Sequence, residues 1–223
     1  MKLPVITDAP VEQYMLDIVD TTGHKGLPEA AVAVMHEIEA QAERSHFPIV
    51  GPLVGRTLCM YSSLIGARTI LDLGSGTGYS ALWLAAGAGA GATVICIDEN
   101  AERLEQSREL HRRTGLAAHF VYKQLDAMEA LELDPGPFDL VLNDVEKELY
   151  PRIARLATER LRPGGIYCAA SALWYGKVCV YGSTWDAWTS SVHQHNDWLF
   201  SQDNLFSQLH DQGDGLVVSV RRA

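Results

Sequence analysis

The sequence lacks the features of membrane, secreted and nucleic-acid-binding proteins. No apolar run reaches the roughly eighteen residues of a membrane helix, because glycines interrupt the longest candidate. The start, MKLPVITDAPVEQY, has no apolar core of the kind found in signal peptides. A net charge of −10 disfavours a surface for duplex nucleic acid, which needs clustered Lys and Arg. We therefore expect a cytoplasmic protein that binds neither membrane nor nucleic acid.

Cysteine is scarce, and its spacing indicates no metal site or disulfide framework. The four cysteines form no CxxC pair and no Cys/His set with zinc-ligand spacing. Cys96 and Cys168 lie in apolar, strand-like runs, which predicts reduced thiols in the core. This usage also favours the cytoplasm.

Strand-like and helix-like segments alternate from Thr69 onward, after a first part with helical periodicity. Alternation of this kind predicts a parallel sheet covered on both faces. RPGG is expected to close a helix before the strand GIYCAAS, and two further strands are expected around DQGDG. The prediction is a single α/β domain over 1–223, doubly wound around a mostly parallel sheet. A helical cap occupies 1–66, and the core occupies 67–223.

Three glycines, Gly74, Gly76 and Gly78, lie between the first strand and its helix in LDLGSGTGYS. Glycine permits a sharp turn and lets a ligand approach the backbone. The G-x-G-x-G spacing departs from the G-x-G-x-x-G of dinucleotide-binding folds. A purely structural turn remains an alternative at this point.

Acidic residues follow the next two strands. Asp98 ends VICID, where a carboxylate can accept both hydroxyls of a ribose, and Asp126 follows the third strand. Either residue alone is also compatible with a helix N-cap. Together, the glycine turn and the two carboxylates predict a nucleoside pocket at the carboxyl edge of the sheet.

The order of DLGSGTGYS, ID, LDA, FDLVLNDVEKELYP, LRPGG, LWYGKV and GDGL resembles the catechol and caffeoyl-CoA type of S-adenosylmethionine-dependent O-methyltransferases, over roughly residues 45–223. The resemblance implies a Rossmann-like methyltransferase fold of seven strands with an antiparallel C-terminal strand. It also implies S-adenosylmethionine (SAM) as methyl donor, S-adenosylhomocysteine (SAH) as product, and a small hydroxylated, aromatic acceptor. Homodimers are frequent in such families, and the N-terminal helices offer an apolar surface at Met15, Ile18, Val19, Val32 and Met35.

The resemblance implies that the cofactor crosses the strand ends. The glycine turn would face its methionine part, together with Tyr79 and the hydroxyl of Ser80. Asp98 would hold the ribose, while Asp126 and Ala127 would flank the adenine. The cofactor-side residues assigned in this way are Val50, Gly74, Ser75, Gly76, Tyr79, Ser80, Asp98, Asp126, Ala127 and Asp144.

The family also binds a divalent cation through an Asp at the position of Asp144 and an Asp-Asn pair after the fifth strand. Here that pair reads Ala170-Ser171. A methyl group and a hydroxyl do not replace two hard oxygen donors for Mg²⁺ or Ca²⁺. We therefore expect no metal. Rebuilding of the site by His193, His195 or Asp197 is a weaker alternative to a polar surface segment.

Lys147 and Asp144 are the candidate catalytic residues. The resemblance implies that Lys147 accepts or stabilises the proton of the acceptor hydroxyl. Asp144 would offset the sulfonium charge or orient Lys147. A solvated lysine and a capping aspartate are the structural alternatives.

An aromatic segment follows the fifth strand. Trp174 and Tyr175 are expected to wall the acceptor pocket, and VYGSTWDAWTSS is expected to form either a lid or a packing stripe. The acidic surroundings disfavour a coenzyme A-linked acceptor, whose phosphates need basic side chains.

Two other classes of function remain open. A non-catalytic SAM- or SAH-binding protein is favoured by Ala170-Ser171 and disfavoured by the presence of Lys147. A nicotinamide-dependent oxidoreductase is disfavoured by the glycine spacing and by the antiparallel tail.

Overall fold

The computed structural model describes residues 9–22, 24–180 and 185–223. The helices in these ranges are α1 Ala9–Thr22, α2 Glu29–Ser45, α3 Gly51–Leu64, α4 Tyr79–Ala88, α5 Ala101–Arg112, α6 Ala127–Leu133, α7 Tyr150–Glu159 and α8 Ala187–Ser201. The strands are β1 Thr69–Leu73, β2 Thr93–Asp98, β3 His119–Gln124, β4 Phe138–Asn143, β5 Leu161–Ala169, β6 Leu205–His210 and β7 Leu216–Arg221. No helix of the described residues is both long and apolar enough to cross a membrane.

The seven strands form one sheet in the order β3-β2-β1-β4-β5-β7-β6. Strands β1 to β5 are parallel to one another, and β7 runs antiparallel to both β5 and β6. The strand order reverses between β1 and β4, which opens a crevice at their carboxyl ends. The predicted α/β fold, with its mostly parallel sheet and antiparallel C-terminal strand, is confirmed.

Two layers of helices cover the sheet. Side chains from α3, α4 and α5 pack on one face, and side chains from α6, α7 and α8 pack on the other. The central strands are consequently buried on both faces, which explains why they read as continuous apolar runs rather than as alternating ones. Cys96 and Cys168 are buried in this core as free thiols, as predicted.

The strand β5 begins at Leu161, earlier than the sequence predicted. Leu161 pairs with Phe138, and the register shifts before the pair Leu140–Ile166. Gly164, with φ of 75°, lies inside this irregular start. The expectation that RPGG ends the preceding helix was therefore wrong, because a strand that contains a bulge carries the same Pro and Gly residues as a turn.

The N-terminal helices differ in how they are buried. Met35 of α2 is fully buried and packs with Val34, Ile38 and Trp83, so it belongs to the core of this chain and not to a subunit interface. On α1, by contrast, the side chain of Tyr14 is 64% exposed.

Candidate active site

A cavity of about 560 Å³ opens at the carboxyl ends of β1, β2 and β4. It continues past the end of β5 to the turn between β6 and β7, because Ser171 and Gly215 also line it. Such a volume is in the usual range for small-molecule sites. Eight of the residues selected from the sequence line this cavity: Val50, Gly74, Asp98, Ala127, Asp144, Lys147, Trp174 and Tyr175.

The glycine turn after β1 is anchored to the end of β2. The backbone N–H groups of Gly74 and Ser75 both donate to the carbonyl of Ile97 at 2.9 Å. Gly74 has φ of +80°, and a Cβ at this position would lie 2.3 Å from the carbonyl oxygen of Asp144. Only glycine therefore lets the ends of β1 and β4 approach this closely.

The Asp98 carboxylate is held in place at the cavity wall. Its Oδ2 accepts the N–H of Gly76 at 3.0 Å, and its Oδ1 accepts the N–H of Asn100 at 2.8 Å. The Arg103 guanidinium lies 3.7 Å from Oδ1 and packs over the Phe47 ring. Each carboxylate oxygen keeps a second lone pair, so Asp98 can still accept hydrogen bonds from a ligand.

Ser80 does not contribute to the cavity wall, although its hydroxyl was assigned to the cofactor. The Ser80 hydroxyl donates to Oδ2 of Asp72 at 2.7 Å, inside the core. Asp72 is fully buried, and this burial raises the pKa of its carboxyl group to about 7. Its other oxygen, Oδ1, has no hydrogen-bond partner in the part of the chain that the structure describes. The sequence did not reveal that Asp72 accepts the hydrogen bond from the Ser80 hydroxyl.

Two more assigned side chains point elsewhere. Tyr79 donates its hydroxyl to Glu39 and packs edge-on against Trp83, away from the cavity. Asp126 is the N-cap of α6, because its Oδ1 accepts the N–H of Glu129 at 2.8 Å. Of the pair around the expected adenine site, only Ala127 lines the cavity.

Lys147 is a buried residue and not a solvated loop lysine. It begins a 3₁₀ turn, Lys147–Leu149, and is 8% exposed. Its Nζ donates to the hydroxyl of Tyr150 at 2.6 Å and to the carbonyl of Val145 at 3.1 Å. A longer contact of 3.4 Å reaches Oδ1 of Asp144. Lys147 and Asp144 therefore form an ion pair on the cavity wall.

Three aromatic residues form the outer wall of the cavity. Trp174 lies with its ring centroid 5.1 Å from that of Tyr175 and 5.6 Å from that of Trp188. Trp188 is the part of the expected lid segment that reaches the cavity, and it lies on α8. The indole N–H of Trp185 donates to Val180, while Tyr181 lies outside the described residues.

The turn that carries this wall is built from residues in an unusual backbone conformation. Ser171, Trp174 and Tyr175 have φ of 50°, 48° and 55°, in the left-handed region that non-glycine residues seldom adopt. Such conformations persist where the surrounding structure holds them, and they are frequent at functional sites.

Asp214 is a cavity residue that the sequence analysis missed. It lies in the turn between β6 and β7, and its Oδ1 accepts the N–H of Tyr175. Burial raises the pKa of the Asp214 carboxyl group, and the nearby Asp144 adds to that effect. The motif GDGL was the available signal, but its distance along the chain from the other site residues concealed the contact.

The donors at the position of the family's cation do not fit a divalent metal. Ala170 supplies a methyl group, and its carbonyl already accepts from Tyr150 at 2.9 Å. Ser171 supplies one hydroxyl, and Asp144 is paired with Lys147. Within the described residues, no group of three or more His, Cys, Asp or Glu is arranged to hold a metal ion.

The histidines considered as replacement ligands lie away from this position. His195 is fully buried, with Nε2 2.9 Å from the hydroxyl of Tyr167 and Nδ1 2.8 Å from Oδ1 of Asn196. Burial lowers the pKa of its imidazole to about 4. His193 pairs with Asp197 one turn along α8, at 3.2 Å. Neither histidine lines the cavity, and His195 does not belong to a polar surface segment.

The known proteins that this chain resembles in sequence and in structure are O-methyltransferases. The family model described as O-methyltransferase matches residues 29–222. A catechol O-methyltransferase of Mycobacterium tuberculosis is 30% identical over 134 residues, so the match spans 60% of this chain and only 61% of that relative. A Mycolicibacterium vanbaalenii protein named as an O-methyltransferase is 27% identical over 208 residues, which cover 92% of this chain and 89% of that protein. An O-methyltransferase structure from Bacillus cereus in complex with SAH has a TM-score of 0.76 at 22% identity, covering 96% of this chain and 97% of that one.

Proposed function

The chain belongs to the O-methyltransferase family, and we propose that it transfers the methyl group of SAM to a hydroxyl of a small aromatic acceptor without a divalent cation. The observation that carries this proposal is a buried amine, Lys147, on the wall of the same cavity as Gly74 and Asp98. One cavity thus offers a nucleoside-binding edge, a proton acceptor and an aromatic wall.

The proposed cofactor site uses the edge formed by β1, β2 and β3. Asp98 accepts the ribose hydroxyls, and the Gly74 turn lies against the methionine part. Leu125 and Ala127 give an apolar surface for the adenine. A cofactor complex of the same fold is known from Bacillus cereus.

The chemistry that the protein must supply is modest. The leaving group is a sulfonium, which departs as a neutral thioether once the acceptor oxygen attacks the methyl carbon. Holding the two reactants in line is worth roughly 7–11 kcal/mol, and a general base adds about 10²–10⁴-fold in rate. In this proposal Lys147 takes the hydroxyl proton, and Asp144 holds the resulting ammonium.

Absence of a cation follows, in this proposal, from the donor set. A hard divalent cation takes six or more oxygen ligands, and protein carboxylates free to bind it are among them. Ala170 and Ser171 provide at most one weak ligand between them, and the carboxylate of Asp144 already pairs with an amine. The acceptor oxygen is therefore prepared by Lys147 alone.

The acceptor class follows from the outer wall. Trp174, Tyr175 and Trp188 suit a flat aromatic ring. Glu146 and Asp214 also line the cavity and repel anionic acceptors, including the phosphates of coenzyme A. A phenol with a neutral or cationic substituent fits this charge distribution.

The test is a methyl-transfer assay on purified protein. Calorimetry measures the binding of SAM and SAH, and mass spectrometry detects methylated products from a panel of phenols. The variant Lys147→Met keeps a side chain of similar length without the amine, so we expect SAM binding within about twofold and turnover lowered by about 10²–10⁴-fold. Equal turnover in the two proteins would refute the role of Lys147.

A non-catalytic cofactor-binding protein is the second candidate, favoured by the substituted pair Ala170-Ser171. It predicts SAM binding by calorimetry and no methylated product from any phenol of the panel. The same two measurements therefore separate the candidates.

We also propose a homodimer in the cytoplasm. The exposed apolar side chains of α1, namely Val11, Tyr14, Met15 and Ile18, recur at helical spacing and support a contact with a second copy. The cysteines are free thiols, which suits a reducing compartment. Light scattering on the purified chain should give twice the monomer mass, and Tyr14→Glu should shift it toward the monomer.

A further inference from the structure

Tyr150 is a fully buried tyrosine next to the site, and the proposed reaction does not yet use it. It begins α7 and has no exposed surface. Its hydroxyl accepts a hydrogen bond from Nζ of Lys147 at 2.6 Å and donates one to the carbonyl of Ala170 at 2.9 Å. Burial holds the pKa of Tyr150 well above its ordinary value, so the group stays a neutral hydroxyl.

The tyrosine ring is held by its surroundings. The imidazole of His195 lies 5.1 Å from it, between centroids, and His195 is fixed by Tyr167 and Asn196. The amide of Asn196 also donates to the carbonyl of Ala172, in the turn that follows β5. The Tyr150 hydroxyl is consequently a rigid group and not a mobile one.

The three N···O contacts of the Lys147 amine differ in length, and this difference determines which way its lone pair points. The two shorter contacts, with Tyr150 and with the carbonyl of Val145, do not go to the ion-pair partner. The third and longest, 3.4 Å, goes to Asp144, which lines the cavity. An ammonium fills all three contacts, whereas a neutral amine has two N–H groups and one lone pair.

We infer that Tyr150 is a positioning residue that aims the lone pair of the neutral Lys147 amine at the acceptor hydroxyl. The two shorter hydrogen bonds keep the two N–H groups, so the lone pair takes the remaining tetrahedral direction, toward the side of Asp144. This inference rests on the proposed function, in which Lys147 is the base.

The proposed step moves one proton and one methyl group. The acceptor O–H bond breaks, and its proton binds the Lys147 lone pair. The oxygen forms a bond to the methyl carbon while the carbon–sulfur bond breaks, and the sulfonium leaves as a thioether. The new N–H of the ammonium donates to Asp144, and this proton passes to water after the product leaves.

The test is Tyr150→Phe, which removes only the hydroxyl. We expect SAM affinity and the KM for the acceptor within about threefold of wild type and kcat lower by roughly 100-fold, because a misdirected base loses alignment. The acid limb of the pH–rate profile is expected to move to lower pH, since the protonated amine loses a hydrogen-bond acceptor.

The matched control is Tyr122→Phe. Tyr122 lies on β3, and its hydroxyl lies 2.9 Å from Nδ1 of His111, outside the cavity wall. We expect a comparable loss of stability with an unchanged pH–rate profile. An equal fall in kcat in both variants, with no shift in pH dependence in either, would reduce Tyr150 to a structural role and overturn the inference.

A second readout separates this inference from the proposed function. The Cε resonance of Lys147 in ¹³C-lysine-labelled protein reports its protonation without any turnover. A titration midpoint that moves in Tyr150→Phe and not in Tyr122→Phe supports the hydrogen bond to the amine. An identical midpoint in all three proteins overturns the inference, whether or not the wild type methylates a phenol.

Discussion

The buried carboxylate of Asp72 shows how a single residue links the fold to pH. It lies under the glycine turn, accepts one hydrogen bond from Ser80, and faces the carboxylates of Asp98 and Asp144. Burial raises the pKa of its carboxyl group from about 3.8 to about 7. The folded state therefore holds a proton that the unfolded chain has already lost over this interval, and stability falls as pH rises through it.

Asp72→Asn should remove this pH dependence. Asparagine keeps the shape and an oxygen for the Ser80 hydroxyl but carries no charge. We expect the variant to be more stable than wild type by about 1–3 kcal/mol near pH 8, with little difference near pH 4. Denaturant unfolding at the two pH values measures this.

Asp139→Asn should have the opposite effect on stability, because the pKa of Asp139 is lowered and not raised. Despite partial burial, hydrogen bonds from Arg162 and from the backbone of Arg68 and Thr69 hold the pKa of Asp139 below its ordinary value. Its contribution to stability is present at neutral pH and is lost as pH falls, so this variant should be destabilised near pH 8. A stability gain in Asp139→Asn, or none in Asp72→Asn, would contradict the assignment of these charges.

Residues were predictable from the sequence where a local motif decides their surroundings. Gly74 and Asp98 line the cavity because a strand end and a tight turn leave few alternatives. Ser80 and Asp126 were assigned by the same motifs, yet Asp72 and the N-terminus of α6 hold their side chains. Such competition among partners is a tertiary property that spacing does not encode.

At the scale of elements, most strands and helices followed from hydrophobic periodicity. β1 and α4 flank the glycine turn and β2 ends at Asp98, as the sequence indicated. The start of β5 did not follow from periodicity, because its Pro and Gly residues are typical of turns. The helix α8 was also missed, since its mixed polar and aromatic sequence shows no clear apolar stripe.

The turn after β5 carries Ala170 and Ser171, at the positions where the family resemblance implies an Asp-Asn pair of metal ligands. Ser171 has φ of 50°, which asparagine tolerates better than serine does. The double variant Ala170→Asp, Ser171→Asn should therefore fold and gain two ligands beside Asp144. We expect Mg²⁺ or Ca²⁺ to raise its thermal midpoint measurably, while the wild-type midpoint stays unchanged.

The control for this variant is Ser171→Asn alone. It places asparagine at the position of positive φ but does not add the carboxylate at position 170. A cation effect of equal size in wild type, single variant and double variant would show that the ion binds elsewhere. It would also remove the structural argument for a lost cation.

For the molecule as a whole, the proposed acceptor class depends on the distribution of charge. The chain has a net charge of −10, and the acceptor side of the cavity includes Glu146 and Asp214 beside the Lys147–Asp144 pair. A surplus of negative charge raises the local concentration of cations and excludes anions.

Three phenols that share a two-carbon para substituent and differ in its terminal charge test this selectivity: para-ethylphenol, tyramine and para-hydroxyphenylpropionate. We expect kcat/KM to be highest for tyramine and lowest for the propionate, by roughly tenfold or more between the two at low salt, and the difference to shrink as salt increases. Asp214→Asn should reduce the difference in kcat/KM between tyramine and the propionate. A preference for the anionic phenol would contradict the proposed acceptor class.

The central claim is that a protein amine, with no bound ion, prepares the acceptor oxygen for methylation. Its most direct measurement is kcat/KM for a phenol in metal-free buffer, across a series of EDTA concentrations and after addition of Mg²⁺. We expect one constant value of kcat/KM throughout. Loss of turnover in EDTA with recovery on adding Mg²⁺ would contradict it.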